Sequence, residues 1–394
     1  MTAGARIARV LSSRGVIQDP AWHRAVLSVD RDAFVPDVVW AEEPSTGLYA
    51  PYPRDADPDV HRWLGEDVSL VTQVDDGHPA AAGGRGYTPT SSLSQPSLVV
   101  AMLQVLDVED GHRVLEVGTG SGYNTALLCS RLGAGNVTSV EVDADVAADA
   151  EKNLAATGYT PHLIVGDGAA PVAGGPYDRV LSTVAVQTIP AAWLQALGPG
   201  GVIVTPWTPG PGFASSVLLR LIVDETGDAH GRVVGDAAFM MLRAHRPDRL
   251  GYGAFVDEDA PGVAEGTTAT NPRWVTDPHP GWKVVLGHLV PHIGYASYEA
   301  APDNTTAAGE ATVYVFDRAG TSWVLGEYTP AGGPYEAKRH GPRDLWAEIA
   351  AARDVWERLG RPRRDRLGVT VAADGDQTLW VDGPGNSVIS PCNG

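Results

Sequence analysis

Gly118, Gly120 and Gly122 stand at every second position of the stretch HRVLEVGTGSGYNTA, residues 112–126. Without a Cβ the chain can turn tightly there and let a ligand approach its backbone. The spacing G-x-G-x-G argues against two kinds of phosphate binder. A dinucleotide turn asks for a third glycine at position 123, which is Tyr123, and a G-x-x-x-x-G-K cradle asks for a lysine that is absent. Glu116, just before the loop, suits a cationic ligand rather than a pyrophosphate. Two more acids close the strands that follow. Glu141 in VTSVEVD is placed to accept from both hydroxyls of a ribose, and Asp167 in IVGDG from an adenine amino group. Each acid alone reads equally as a solvated strand end or a helix cap, and the glycines alone as a structural turn. All three acids at successive strand ends point together to a nucleoside with a positive centre beside it and no pyrophosphate.

The elements that must position these residues alternate. SLVVAMLQVL reads as a helix, RVLEV as a strand, NTALLCSRLG as a helix ending at Gly133, and NVTSVEV as a strand. DVAADAEKNLAATG is a helix ending at Gly158, HLIVG and YDRVLSTVAV are strands, AAWLQALG is a helix and GVIVTPW a strand. Strands separated by single helices imply an α/β fold with a doubly wound, mostly parallel sheet. Residues 5–35 read as helices. Residues 41–90 are rich in Pro, Gly and Asp without a clear period, and so long a connection is expected to be functional or mobile. Residues 215–244 read as two strands turning near Gly227. After a polar stretch, WKVVLGHLV, ATVYVFD and SWVLGEY read as strands, PRDLWAEIAAARDVWERLG as a helix, and LGVTVAADGDQTLWVDG as a hairpin turning at Asp374–Gly375. The expected organisation is N-terminal helices and an insertion at 1–90, a ligand-binding core at 91–245, a linker at 246–272 and an appended α+β domain at 273–394.

Composition narrows the partners. The 394 residues carry 29 basic and 48 acidic side chains, a formal charge of −19. Such a surface repels phosphate backbones and anionic membranes, so neither nucleic acid nor membrane is expected as a partner. No apolar run is long enough to span a bilayer, no signal peptide is legible at the N-terminus, and a cytoplasmic location is the default. Cys129 and Cys392 are neither a disulfide framework nor a metal cluster, and Cys129 reads as a small core residue. His279, His288, His292 and His340 lack metal-ligand spacing, so no metal is expected.

S-adenosylmethionine is a nucleoside with a cationic sulfur and no pyrophosphate. VLEVGTGSGYNTA, VEVD and VGDG resemble the first motifs of class I methyltransferases with their Rossmann-like fold. More specifically, SLSQPSLVVAML, VDRDAFVP and ALGPGGVIVTPW resemble segments of the protein-L-isoaspartate O-methyltransferases, a likeness extending over residues 1 to about 245. The resemblance implies S-adenosylmethionine as cofactor and S-adenosylhomocysteine as product. It implies cofactor contacts from Glu116, Gly118, Thr119, Gly120, Ser121, Gly122, Asn124, Glu141, Val142, Gly166, Asp167 and Gly168. It also implies Ser94 as the active-site serine, placed to hydrogen-bond the acceptor carboxylate, with Ser92, Gln95, Pro96, Ser97 and Val186 around the acceptor. Ser94 reads alternatively as the N-cap of the following helix.

Methyl transfer to a carboxylate needs no general base, because a free carboxyl with a pKa of about 4 is already ionised at neutral pH. Orientation and exclusion of water are therefore the expected catalytic terms. Three features depart from the repair enzymes of that family: STVAVQTIP in place of an Ala-Ala-Pro turn, the extra chain at 41–90, and the C-terminal domain. They resemble the actinobacterial methyltransferases that accompany lanthipeptides and graspetides. The partner expected on that likeness is a modified precursor peptide whose Asp is esterified on the way to aspartimide or isoaspartate. General repair of isoaspartyl residues is the alternative, and a non-catalytic peptide-binding scaffold a third reading. Trp274, Trp282, Tyr295, Tyr298, Trp323, Tyr328, Trp346 and Trp356 either line a peptide groove or form a core, and the basic run RLGRPRRDR reads as a solvated helix exit.

Overall fold

The apolar spacing of the first 30 residues folds as helices α1 (Ala3–Ser13) and α2 (Pro20–Ser28), which bury Ile7, Leu11, Trp22 and Val26. Asp19 caps α2 by accepting from Ala21 N, with Pro20 at the first helical position. The computed structural model describes residues 3–210, 216–247, 251–301 and 308–389, so Cys392 lies outside the described residues.

Residues 41–90, expected to lack regular structure, build most of a small sheet. Strands β1 (Val38–Glu42) and β2 (Tyr49–Pro53), helix α3 (Pro58–Trp63), and strands β3 (Leu70–Val74) and β4 (Pro89–Leu93) give an antiparallel sheet in the order β2-β1-β3-β4. The strands are only five residues long and bury one or two side chains each, which is why no period shows in the sequence. Asp75 pins the return to β4: its carboxylate accepts from the backbone of Ala80, Tyr87 and Thr88.

The alternating segment folds as α4 (Pro96–Leu106), β5 (Val114–Val117), α5 (Tyr123–Leu132), β6 (Val137–Glu141), α6 (Ala144–Ala156), β7 (His162–Val165), β8 (Tyr177–Ser182), α7 (Ala191–Gln195) and β9 (Leu197–Trp207). Strands β5–β9 are parallel to their neighbours in the order β9-β8-β5-β6-β7. Two antiparallel strands, β10 (Ser216–Val223) and β11 (Ala229–Ala237), extend the sheet past β9. The glycine loop and Glu141 thus sit at the carboxyl ends of adjacent central strands, where open α/β sheets bind ligands.

The C-terminal part contains β12 (Ala264–Thr268), α8 (Pro280–Leu289), β13 (Ile293–Glu299), β14 (Ala311–Asp317), β15 (Trp323–Tyr328), β16 (Tyr335–His340) and α9 (Leu345–Arg358). Its five strands form a second antiparallel sheet in the order β12-β16-β15-β14-β13. WKVVLGHLV, read as a strand, is helix α8. His279 caps it through Nδ1, which accepts from Gly281 N and Trp282 N, and Trp282, Val285 and Leu286 form its buried stripe. The last hairpin, β17 (Leu367–Val371) and β18 (Gln377–Val381), leaves that sheet and pairs with β11, so that the first sheet has nine strands among the described residues. One apolar core runs from Leu115 and Val180 through Val217 and Leu219 to Trp282, Trp356 and Leu379. The chain therefore crosses the division expected at 246–272 and returns to the first sheet. Trp282, Trp323, Trp346 and Trp356 are core residues, and Tyr298 is exposed. Among the described residues no helix is long and apolar enough to cross a membrane.

Candidate active site

The β5–α5 turn takes its shape from three left-handed glycines, with φ of +92° at Gly118, +55° at Gly120 and +93° at Gly122. A Cβ on Gly118 would lie 2.7 Å from Thr183 Oγ1, so the loop packs its backbone directly on the segment after β8. Thr183 Oγ1 donates back to Gly118 O. Thr119 Oγ1 and Ser139 Oγ are 2.7 Å apart, and Asn153 Nδ2 donates to Ser121 O at 3.1 Å. The turn is held from both sides.

Glu116 serves this turn rather than the cavity. It is fully buried in β5, and its oxygens accept from Asn124 Nδ2 at 2.6 Å, Thr125 Oγ1 at 2.5 Å and Ser139 Oγ at 2.6 Å. Burial pushes its pKa up, against the pull of those three donors. Its carboxylate is committed to the protein and does not line the cavity, in contrast to the cationic-ligand role expected for it.

Glu141 does line it. Oε2 accepts from Gly120 N at 2.9 Å and Oε1 from Asp143 N at 3.1 Å, which leaves each oxygen a lone pair for a further donor. Val142, apolar yet 38 % exposed, and Gly168 continue the wall. A Cβ on Gly168 would collide with the Val117 side chain, and its carbonyl accepts from Trp193 Nε1 at 2.7 Å. Gly166 and Asp167, expected to contact the cofactor, do not line the cavity: Gly166 N donates to Glu141 O, while Asp167 is exposed and takes Ala169 N on Oδ1. Gly122 lies behind the loop as the N-cap of α5.

The cavity in front of these residues measures about 920 Å³. That is room for a nucleoside-sized ligand and a second group beside it. Its far wall is β4 and the turn into α4, with Thr90, Ser91, Ser92 and Ser94 all lining it. Ser94 is not a helix cap. Gln95 occupies that place without a side-chain cap bond, and Ser94 Oγ has no hydrogen-bond partner among the described residues. Two ties fix the turn. Arg31, whose pKa burial pulls down to about 10, donates to Val68 O at 2.7 Å and Ser94 O at 3.4 Å. Asp67 accepts from Ser97 N at 2.8 Å and Gln95 Nε2 at 3.3 Å. Of the residues expected around the acceptor, Ser92 and Gln95 reach the cavity and Pro96 and Ser97 do not. Val186 is core: its N–H donates to Pro206 O, and its side chain packs with Ile189 and Trp207.

A second group of lining residues carries no motif: Gln73 in β3, and Met240, Met241, Arg243 and Arg246 after β11. Ala185 holds that last segment against the cavity by accepting from Leu242 N and donating to Met240 O, each at 2.8 Å. Asp143 is central to this side. Burial works to raise its pKa, and the Arg243 guanidinium, Val146 N–H and Gln73 outweigh it and hold the carboxyl below its usual range. No sequence signal marks these residues, because their partners come from stretches far away in the chain. Among the described residues no group of three metal-ligating side chains converges.

S-adenosylmethionine fits this donor set. The glycine backbone leaves no Cβ in the cradle, Glu141 has acceptor capacity to spare beside it, and Val142 offers an apolar face. Residues 83–240 match the protein-L-isoaspartate(D-aspartate) O-methyltransferase (PCMT) family profile. The chain is similar to the protein-L-isoaspartate O-methyltransferase of Methanosarcina mazei, at 36% identity over 46% of this chain and 72% of that one. It is similar to protein-L-isoaspartate O-methyltransferase 2 of Rhodopseudomonas palustris at 42% identity over 54% of this chain and 78% of that one, and to protein-L-isoaspartate O-methyltransferase 1 of Anaeromyxobacter sp. at 36% over 54% and 82%. A solved protein-L-isoaspartate O-methyltransferase structure superposes with a TM-score of 0.54 and 19% identity, covering 96% of this chain and 100% of its own. That likeness speaks for the fold, and its extent includes the C-terminal region.

Proposed function

The chain belongs to the protein-L-isoaspartate(D-aspartate) O-methyltransferase family, and on that premise we propose that it repairs isoaspartyl residues in peptides and damaged proteins by esterifying their carboxylate. It is an S-adenosylmethionine-dependent carboxyl O-methyltransferase with a class I fold. The observation that carries the acceptor assignment is the free Ser94 Oγ, which faces the same cavity as Glu141 and the glycine loop. Bound there, the cofactor supplies an electrophilic methyl on a cationic sulfur. The acceptor carboxylate arrives ionised, so no residue has to remove a proton. Ser94 donates a hydrogen bond that orients one acceptor oxygen, and Arg31 and Asp67 keep the turn carrying Ser94 in place. Leu98, Val99 and Met102 of α4 line the same wall with apolar side chains that keep water from the reacting oxygen. In the ester so formed the following backbone N–H attacks the carbonyl, methanol leaves with that proton, and water hydrolyses the resulting ring to aspartate or isoaspartate.

The second reading, a dedicated enzyme for one aspartate of a modified precursor peptide, is favoured by the strands built from residues 38–93, which wall the acceptor side of the cavity. The fold of the C-terminal region lends it no weight, since a solved protein-L-isoaspartate O-methyltransferase structure superposes over that region too. Methylation of unrelated short isoaspartyl peptides decides between the two. A repair enzyme esterifies most of them, and a dedicated one leaves them untouched while adding 14 Da to its own precursor, an increment of about one CH2 by the same ester chemistry.

A further inference from the structure

The small sheet that walls the acceptor side also reaches over the cofactor side of the cavity. Gln73 Nε2 in β3 donates to Asp143 Oδ2 at 3.3 Å, and Arg243 Nη2 donates to the same oxygen at 2.9 Å. Arg243 Nη2 also lies 3.3 Å from Asp76 Oδ1, which takes Arg246 Nη1 at 2.6 Å. Asp143 passes this tie on in two directions. Its N–H holds Glu141 Oε1, and its Oδ1 caps α6 by accepting from Asp145 N and Val146 N. The turn after β3, the end of β6 and the segment after β11 therefore meet at one guanidinium.

Arg243 has a donor left over. Its Nε is buried and has no partner among the described residues, although the side chain lines the cavity. With Nη2 fixed between two carboxylates, the planar fork has little freedom to turn Nε elsewhere. A buried donor without an acceptor costs free energy that is recovered when a ligand oxygen or nitrogen accepts from it. The pairing carboxylates also neutralise the guanidinium, so it does not repel a cationic ligand.

We propose that Arg243 is a cofactor-binding residue, held by Asp76 and Asp143 and offering its Nε–H to the nucleoside part of S-adenosylmethionine beside Glu141, with Asp76 a positioning residue that acts through it. The inference rests on the cofactor reading above and assigns the turn after β3 a role in cofactor retention.

Titration calorimetry with S-adenosylhomocysteine on the full chain tests it. Arg243→Lys keeps a positive charge for the ion pairs and loses the Nε donor, so its dissociation constant rises about tenfold, the loss of one hydrogen bond. Arg243→Met rises further, to about thirtyfold or more. Asp76→Asn raises it several-fold when Arg243 is present and adds nothing in the Arg243→Met background. The KM for S-adenosylmethionine follows the same order, while kcat at saturation and the acceptor KM stay within about twofold, a split that general loosening of the fold would not produce. Should Arg243→Met fail to fold, Arg243→Lys and Asp76→Asn carry the decision. Binding within twofold of wild type in these variants overturns the assignment of Arg243 and leaves the cofactor reading intact. An unbound wild type overturns both.

Discussion

Ser139 Oγ lies 2.6 Å from Glu116 Oε2 and 2.7 Å from Thr119 Oγ1, so one hydroxyl joins the buried carboxylate of β5 to the glycine loop. Glu116 thereby supports the cofactor loop from behind. Glu116→Ala removes the acceptor of three buried donors and opens a void, at a cost of about 2–4 kcal/mol. Glu116→Gln keeps the shape and one oxygen and costs far less. The charge also has a pH signature. Burial raises the folded pKa above the unfolded value of 4.5, so the proton contributes stability that is full below that value and is lost as pH rises through the raised folded pKa. Wild type should therefore lose stability relative to Glu116→Gln as pH rises from the unfolded value of 4.5 through the raised folded pKa. Denaturant melts of both chains at several pH values check this, and parallel curves refute it.

Ser94 and Arg31 separate catalysis from cofactor binding. Ser94→Ala removes the hydroxyl assigned to the acceptor carboxylate, and kcat should fall about 10–100-fold with S-adenosylhomocysteine affinity within twofold. Arg31→Lys loses the guanidinium whose Nη2 donates to both Val68 O and Ser94 O, which should cost about 2–4 kcal/mol and lower kcat through a displaced Ser94. Calorimetry beside steady-state kinetics distinguishes these outcomes. A large loss of cofactor affinity in Ser94→Ala would place that serine on the cofactor instead.

Two glycines of the loop should fail differently. Gly118→Ala combines a φ of +92° with contact at 2.7 Å to Thr183 Oγ1, so the fold itself is strained by about 1–3 kcal/mol. Gly120 has a φ of +55°, and its Cβ would meet no protein atom nearer than 3.7 Å. Its methyl would project toward the space the ligand occupies. Gly120→Ala should then cost about 1 kcal/mol of stability and more than tenfold in cofactor affinity. Equal losses of affinity and stability at both positions would contradict the difference.

What the sequence could disclose followed the range of its signals. The alternation between residues 94 and 208 is local: helices α5 and α6 stop at Gly133 and beside Gly158, and each strand is a short apolar run, so the parallel sheet and the place of Glu141 at a strand end are legible. Ambiguity begins where an apolar run is short. WKVVLGHLV satisfies strand and helix patterns alike, and the cap from His279 decides for a helix. Glu116 shows the limit for charged residues, because a carboxylate before a glycine loop looks the same in sequence whether it meets a ligand or three neighbouring donors. Gln73, Asp76 and Arg243 were illegible for another reason. Their meeting depends on a sheet built from residues without periodicity and on a segment about 170 positions away, as the Arg246–Asp76 pair illustrates.

The hairpin β17–β18 makes the last prediction. Its strand β17 pairs with β11 from Ala229↔Val371 to Arg232↔Gly368, and Leu367, Val369, Val371, Leu379 and Val381 are buried in the core shared with β9 and β10. The sequence boundary at 272 would suggest that residues 1–272 form a free-standing enzyme. The pairing argues otherwise. Truncation there uncovers the edge of β11 together with the apolar surface beneath α8, α9 and the hairpin, and an unpaired apolar edge favours association over folding. Residues 1–272 should be recovered as aggregate or as a chain without a cooperative melt, and should not bind S-adenosylhomocysteine. Size-exclusion chromatography, thermal melting and calorimetry of the truncated chain read this directly. A monomeric truncated chain that melts cooperatively and binds the product as tightly as the full chain would mean that the nine-stranded sheet does not depend on its last two strands.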